Sequence, residues 1–177
     1  MKELNFSPFP IINTERLVLR QLSENDADSV YALRTNKEVL KYIDRPQSRN
    51  QGDGLAFIKR ITKSVNNSTA MYWVIALKDS TKLIGSICLW NFSKDIKTAE
   101  VGFELFPGYQ GRGIMSEALK AVLDFGFNSA MFNTIEAFTH KDNLGSKNLL
   151  VKFGFTEVKD RVDVDNANNL IFIKQND

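Results

Sequence analysis

The apolar residues of this chain change period several times, and each change marks an element. In Thr14-Glu15-Arg16-Leu17-Val18-Leu19-Arg20, Leu17 and Leu19 face one way while Arg16, Val18 and Arg20 face the other, as in a half-buried strand. Residues 1–13, polar and aromatic with Pro8 and Pro10, read as an extended lead-in. Ser23-Glu24-Asn25-Asp26 is a pattern of capping-box type, and Ala27, Val30 and Leu33 follow it at helical spacing. Between Thr35 and Gly54 the pattern is polar and irregular, which predicts a surface loop or a broken short helix. Leu55, Ile58, Ile61 and Val65 then mark a second amphipathic helix, failing at Asn66-Asn67-Ser68. Together these helices could wall a pocket, with Tyr42 and Phe57 as candidate lining.

Met71 to Lys78 and Lys82 to Phe92 read as strands joined by Lys78-Asp79-Ser80-Thr81. In the second strand both faces are mostly apolar, which predicts a central antiparallel strand covered on both sides. Lys94 to Lys97 turns the chain into a third strand, Thr98 to Leu105. A helix from Ile114 to Phe125 shows Ile114, Ala118, Val122 and Phe125 on one face, and Gly126 to Ala130 is expected to end it. Thr134 to His140 reads as a strand parallel to Thr98 to Leu105, because a helical crossover joins them. A helix from about Leu144 to Phe153 follows, capped by Asp142 or Asn143 and closed by Gly154. Phe155 to Val164 and Leu170 to Lys174 are expected as two final strands. The expected order is β-α-α-β-β-β-α-β-α-β-β in a single α/β (α+β) domain over residues 1–177, with its core at about 14–174.

Composition narrows the function classes. Of 177 residues, 43% are hydrophobic and 25% charged, which suits one globular domain with a sizeable core. A net charge of +2 without like-charge runs argues against general nucleic-acid binding. One cysteine allows no intrachain disulfide and points to a reducing compartment. Met1 to Asn5 lacks a signal-type apolar core, and no window approaches the roughly 20 apolar residues of a membrane span. A cytoplasmic protein without membrane attachment is expected. One cysteine and one histidine leave no cluster for a zinc site, and no metal is expected.

The chemistry concentrates in Phe106-Pro107-Gly108-Tyr109-Gln110-Gly111-Arg112-Gly113-Ile114-Met115-Ser116-Glu117-Ala118, which joins a strand to a helix through a turn with three glycines. Glycine lets successive N–H groups point into one concavity. The first N–H groups of the helix lack intrahelical partners and lie at the positive end of its dipole. A phosphate or pyrophosphate would satisfy both, and Arg112 adds a permanently charged donor fork. The spacing is not that of a P-loop, which needs Lys-Ser/Thr after its last glycine, nor of a dinucleotide fingerprint, since Ser116 stands at the third glycine. It fits Gln-x-x-Gly-x-Gly/Ala at Gln110, Gly113 and, imperfectly, Met115.

With the preceding strand and the later Asn143-x-x-Ser146 segment, this turn resembles the acetyl-coenzyme A site of the GCN5-related N-acetyltransferases (GNAT), in particular the branch that modifies ribosomal protein N-termini. The resemblance spans roughly Thr14 to Lys174. It implies a central mixed, mostly antiparallel sheet of about seven strands with four helices, whose fourth and fifth strands, Thr98 to Leu105 and Thr134 to His140, run parallel and splay apart. It implies acetyl-CoA as cosubstrate. The pantetheine arm would lie against Phe103, Glu104 and Leu105, and the pyrophosphate on the amides of Gln110, Gly111, Arg112, Gly113, Ile114 and Met115. Asn143 would contact cofactor amides or cap its helix. The implied acceptor is a primary amine, with a protein N-terminus ahead of an aminoglycoside, polyamine or amino sugar. A homodimer paired through a sheet edge is a further implication of the resemblance.

Acetyl transfer to an amine makes two proton demands: the acceptor must lose a proton, and the leaving thiolate must be stabilised or protonated. Ser146 matches the family serine whose hydroxyl approaches the thioester sulfur. Glu100 and Glu104 are the candidate bases, with removal by a water chain as the alternative; four positions apart, they share one face of an unbroken strand. Two such carboxylates near a desolvated cleft would raise each other's pKa. A bulge at Gly102 would turn them to different faces. His140 reads as a solvated loop residue and Cys88 as a buried structural thiol. Against the enzyme stands a binding module that keeps the cofactor cradle without catalysis.

Overall fold

A computed structural model describes residues 4–46, 50 and 52–176. The expected loop between Thr35 and Gly54 lies partly outside the described residues, at positions 47–49 and 51. The strands are β1 (Ile12–Asn13), β2 (Leu17–Gln21), β3 (Met71–Leu77), β4 (Gly85–Trp90), β5 (Thr98–Leu105), β6 (Thr134–His140), β7 (Thr156–Glu157) and β8 (Asn169–Gln175). They form one sheet in the order β1-β2-β3-β4-β5-β6-β8-β7. The helices are α1 (Ala27–Thr35), α2 (Lys37–Leu40), α3 (Gly52–Asn66), α4 (Ile114–Asp124) and α5 (Leu144–Lys152). Among the described residues the sheet therefore exceeds the expected seven strands, and the helices the expected four, by one short piece each: two-residue β1 and the single turn α2.

Two apolar clusters cover the two faces. One joins alternate residues of β2 to β6, among them Leu17, Trp73, Ile87 and Val101, to Ile114, Ala118 and Val122 of α4 and Leu150 of α5. The other joins Tyr72, Val74 and Leu83 to Val30 and Leu33 of α1 and to Phe57, Ile58 and Val65 of α3. β3 is buried along almost its whole length and β4 along most of it, as doubly covered central strands must be. Phe57 thus belongs to the core rather than to a pocket wall.

All pairs are antiparallel except β5 with β6. That parallel ladder is short. It joins Thr98, Ala99 and Glu100 to Thr134, Ile135 and Glu136, and then stops. β5 continues to Leu105 paired only with β4, and β6 continues to His140 paired only with β8. The two strands splay apart from Val101 onward.

One expectation holds and one is corrected. The helical run does end within Gly126 to Ala130, where α4 widens into a π-helical turn, Phe125–Ser129, and Gly126 lets it approach Leu89 and Ile135. Phe155 to Val164 does not form a long strand. Only Thr156 and Glu157 pair with β8, and residues 158–168 pass along the mouth of the splay as an irregular loop. The alternation of Val162 and Val164 imitates a strand, but these valines point to solvent, 69% and 95% exposed.

The α1–α3 layer depends on one close approach. A Cβ built on Gly54 would sit 2.5 Å from the carbonyl oxygen of Ala27, a backbone atom that cannot swing aside. Gly54→Ala should lose about 1–3 kcal/mol to overpacking, against a helix-propensity gain of about 1 kcal/mol. The expected outcome is a lower urea midpoint with an unchanged m-value in equilibrium unfolding.

Candidate functional site

The splay opens a cleft of about 1200 Å³. Its walls come from β5, the glycine turn and start of α4, the end of β6, the start of α5, the segment after α1, and the loop of residues 161–166. Of the site residues expected from sequence, Glu100, Phe103, Glu104, Leu105, Gln110, Gly111, Gly113, Ile114, Met115, Asn143 and Ser146 all line it. Arg112 does not: its side chain is exposed, and its carbonyl accepts a bond from Nη1 of Arg16 at 3.0 Å. Lys152, which the sequence reading passed over, does line the cleft, with Nζ 3.4 Å from Oγ of Ser116 at the start of α4. The cation available to an anion in the cradle is therefore on α5. Its sequence signal was weak, a lysine in the last turn of a helix.

The cradle is built by backbone conformation. Gly111 and Gly113 adopt φ of +71° and +73°, the left-handed region that costs a side chain energy. Gly113 is the N-cap of α4 and supplies no side chain to the first N–H groups of that helix, so these donors face the cleft uncapped. Glu117, in the first turn of α4, complements the helix dipole and does more. Its carboxylate takes bonds from the Thr14 hydroxyl at 2.6 Å, the Arg16 amide at 2.7 Å and Nε of Arg16 at 2.7 Å. Partial burial raises its pKa, but these donors outweigh that and hold it below the usual carboxylate range. Gln110 also has a structural task, since Nε2 donates to the carbonyl of Leu105 at 2.9 Å and closes the free end of β5. Met115 packs partly against the main core while lining the cleft. Asn143 caps α5 through Oδ1, which accepts from the Ser146 amide at 3.1 Å.

The β4–β5 register runs without a bulge from Gly85 opposite Leu105 to Trp90 opposite Glu100. Glu100, Gly102 and Glu104 therefore share one face. Gly102 keeps the strip between the two glutamates bare; a Cβ there would lie 3.2 Å from Sγ of Cys88. The expectation that the two carboxylates raise each other's pKa is not met, because four residues of strand separate them by about 13 Å. Glu104 instead pairs with Arg45, Nη2 to Oε2 at 2.7 Å, with both side chains largely buried. Glu100 is pushed up to about 7, first by desolvation and then by the charges of Asp163 and Glu136, against bonds from Asn91 and Trp90. Asn91, whose Nδ2 reaches Oε2 of Glu100 at 3.2 Å, has a left-handed φ of +50°, a conformation asparagine tolerates.

Two other expected residues are also placed. Burial pushes the Cys88 thiol up to about 12, so it is a poor nucleophile. His140 is at the cleft, against expectation, its ring 5.6 Å from that of Tyr42, and Nδ1 accepts from the Asp142 amide at 3.2 Å. Among the described residues, no group of three potential ligands could hold a metal ion, and no helix is long and apolar enough to cross a membrane.

The arrangement is an anion cradle at one end of a cleft, a desolvated carboxylate at the other, and a hydroxyl on the wall. Comparison with known proteins identifies the family and the fold. Residues 16–156 match the family described as "Acetyltransferase (GNAT) domain". The chain is 31% identical over 147 residues to the uncharacterized N-acetyltransferase YoaA of Bacillus subtilis (strain 168), covering 83% of each protein. Its fold is shared with ribosomal-protein-S5-alanine acetyltransferase from Vibrio fischeri, at a TM-score of 0.79 and 22% identity, covering 95% of this chain and 97% of that one. RimL, the ribosomal L7/L12 alpha-N-protein acetyltransferase solved with coenzyme A, gives a TM-score of 0.81 at 19% identity, covering 94% of this chain and 98% of that one.

The Glu100 shift has a sign that can be measured. The folded state holds this proton up to a higher pH than the unfolded chain does, so Glu100 favours folding most below about pH 4.5 and that contribution is lost as pH rises through about 7. Thermal unfolding of wild type and Glu100→Gln across that range should show wild type losing melting temperature relative to the variant. A parallel pair of curves would mean that the Glu100 carboxyl titrates alike in the folded and the unfolded chain.

Proposed function

Because this chain belongs to the GNAT acetyltransferase family and is an acetyl-CoA-dependent N-acetyltransferase, we propose that it transfers the acetyl group directly, in a ternary complex, to the N-terminal amine of a peptide or protein. The observation that carries this is the splay itself. It leaves β5 from Val101 to Leu105 without a strand partner on the β6 side, and opens that edge between the uncapped start of α4 and Glu100. An extended arm can lie against Phe103, Glu104 and Leu105 as an added strand does. The amides from Gly111 to Met115 would hold the pyrophosphate, with Lys152 beside them. Uncapped donors, two left-handed glycines and a cation at the same helix end are features that such a group fits.

Acetyl-CoA supplies the activated acyl group, a thioester; the chain supplies positioning and proton handling. Glu100, poised near neutrality, takes one proton from the incoming ammonium and leaves an amine lone pair. The hydroxyl of Ser146 is placed to give its proton to the departing sulfur, and the amine's second proton restores it. One ammonium and one acetyl thioester thus become one amide, one thiol and one released proton. The NH₂ end of Asn143, whose Oδ1 is committed to the cap, remains a donor for the cofactor's amides. Glu104 is not a base in this scheme: its ion pair ties β5 to the segment after α2.

A peptide acceptor is supported by the fold shared with two ribosomal-protein acetyltransferases and by the breadth of the acceptor end, where residues 38–44 face residues 161–166. A small polycationic amine is the second reading, favoured by Glu38, Asp44, Asp163 and Asp165 in those walls. Coenzyme A release measured with N-terminal peptides, polyamines, aminoglycosides and amino sugars decides between them. Turnover confined to small amines would overturn the peptide reading, and no turnover with any acceptor would overturn the enzyme.

Two variants test the parts. Ser146→Ala should lower kcat by at least about tenfold, in the range for a lost general acid, with little change in acetyl-CoA affinity. Lys152→Glu should weaken coenzyme A binding by calorimetry about tenfold, or about 1.4 kcal/mol, whereas Arg112→Glu should weaken it less. The reverse order would return the phosphate contact to the turn.

A further inference from the structure

The loop after β7 places its side chains contrary to hydrophobic patterning. In Arg161-Val162-Asp163-Val164-Asp165, the valines are exposed and the aspartate between them is partly buried in the cleft wall. A loop free to choose would turn the valines in and leave the acid in water. Asp163 is instead held at both carboxylate oxygens: Nδ2 of Asn169 donates to Oδ2 at 2.8 Å, and the Asp165 amide donates to Oδ1 at 3.0 Å. The loop is anchored upstream, where Arg161 grips Glu136 with two bonds of 2.6 and 3.1 Å. Glu136 is the β6 residue opposite Glu100 in the last pair before the splay. A fixed carboxylate is thereby brought within electrostatic reach of Glu100.

The surrounding charges do not cancel it. Arg161 is committed to Glu136, and Arg45 to Glu104. Glu38 and Asp44 line the same cleft, as does Asp165, two residues along the loop from Asp163. Sequence patterning, burial and charge balance therefore agree on one purpose for the loop, to hold a negative group where the acceptor must enter. Both exposed valines follow from that choice.

We propose that Asp163 is a specificity residue that receives the acceptor's ammonium beside Glu100 and makes this site select amine acceptors of net positive charge: alkyl diamines, or peptides whose N-terminal residue is followed by a basic one. This rests on the transferase reading above. The ammonium docks between the two carboxylates, Glu100 takes its proton, and Asp163 keeps the remaining positive charge of the acceptor at the mouth. An acceptor with an anion near its amine is repelled by the same groups.

The test uses acceptors matched in size and opposite in charge: 1,4-diaminobutane against 4-aminobutyrate, and otherwise identical peptides beginning Ala-Lys or Ala-Glu. The expected result is kcat/KM at least about tenfold higher for the cationic member of a pair. Asp163→Asn, whose Oδ1 can still accept from the Asp165 amide while its Nδ2 donates to the oxygen of a flipped Asn169 amide, should erase most of that preference through KM rather than kcat, and Asp163→Glu should restore part of it. The pH profile gives a readout that a scaffold role would not move. The charges around Glu100 are Asp163 on the loop, Glu136 with its partner Arg161 on β6, and Glu104 with Arg45 farther along β5. Removing the Asp163 charge should shift the acidic limb of kcat/KM to lower pH. Equal rates within each pair, or an unchanged preference in Asp163→Asn, overturns the proposal while leaving the transferase intact. Calorimetry with 1,4-diaminobutane and the Ala-Lys peptide on the coenzyme A-saturated protein is independent of turnover. Binding about tenfold weaker in Asp163→Asn supports Asp163 even if no acetylation is seen, and equal binding overturns it.

Discussion

The site depends on the end of a hydrogen-bond ladder. Parallel β5 and β6 are paired through Glu100 and Glu136 and then part, so the peptide groups of β5 that would have bonded β6 must find other partners. Leaving a buried backbone group unpaired costs about 1–3 kcal/mol. The chain limits that cost at the end of the strand, where Gln110 satisfies the Leu105 carbonyl. What stays open is an edge that an extended ligand can complete. The same divergence places the start of α4 and the start of α5 on either side of the gap.

Holding a gap open requires its walls to be fixed elsewhere. The Gly111–Gly113 turn has little packing of its own, and a Cβ on Gly111 would meet nothing within 4 Å. Its position is set by Glu117, which the N-terminal segment grips through Thr14 and Arg16, and by Arg16 reaching on to the Arg112 carbonyl. Across the cleft, Arg45 anchors the segment after α2 to β5, and Arg161 anchors the loop after β7 to β6. Each wall is thus tied to the sheet by an arginine and a carboxylate. These pairs are only partly exposed on the carboxylate side, where bidentate or hydrogen-bonded geometry makes them stronger than an ordinary surface ion pair.

Much of this was legible in the sequence, for identifiable reasons. The strands and long helices follow from apolar periodicity: Leu17 and Leu19, expected on the buried face, have no exposed surface. The turn from Gln110 to Met115 announced itself because only glycine suits its backbone. What misled was the alternation in Arg161 to Asp165, which obeys strand periodicity while its apolar members face water. Pattern gives period but not which face is inside, and here function reversed the usual choice. The roles of Arg45, Arg16 and Lys152 were invisible because each meets a partner far along the chain, across 59 residues in the case of Arg45 and Glu104.

Glu100 and Glu104 show how far chemistry departs from residue type. They occupy one strand and one face, and both line one cleft. Glu104 meets a guanidinium and becomes half of a largely buried ion pair. Glu100 is desolvated and lies near the carboxylates of Asp163 and Glu136, and is driven up to about 7 against the bonds from Asn91 and Trp90. Gly102 between them leaves the face open, and the strand places the poised carboxylate at the point where β6 departs. Had the gap begun one pair earlier, Glu100 would stand beyond the last closed rung. Placed on that rung, it is partly desolvated yet still faces the opening, which is the compromise a base needs: burial enough to hold a proton near neutrality, and access enough to take one.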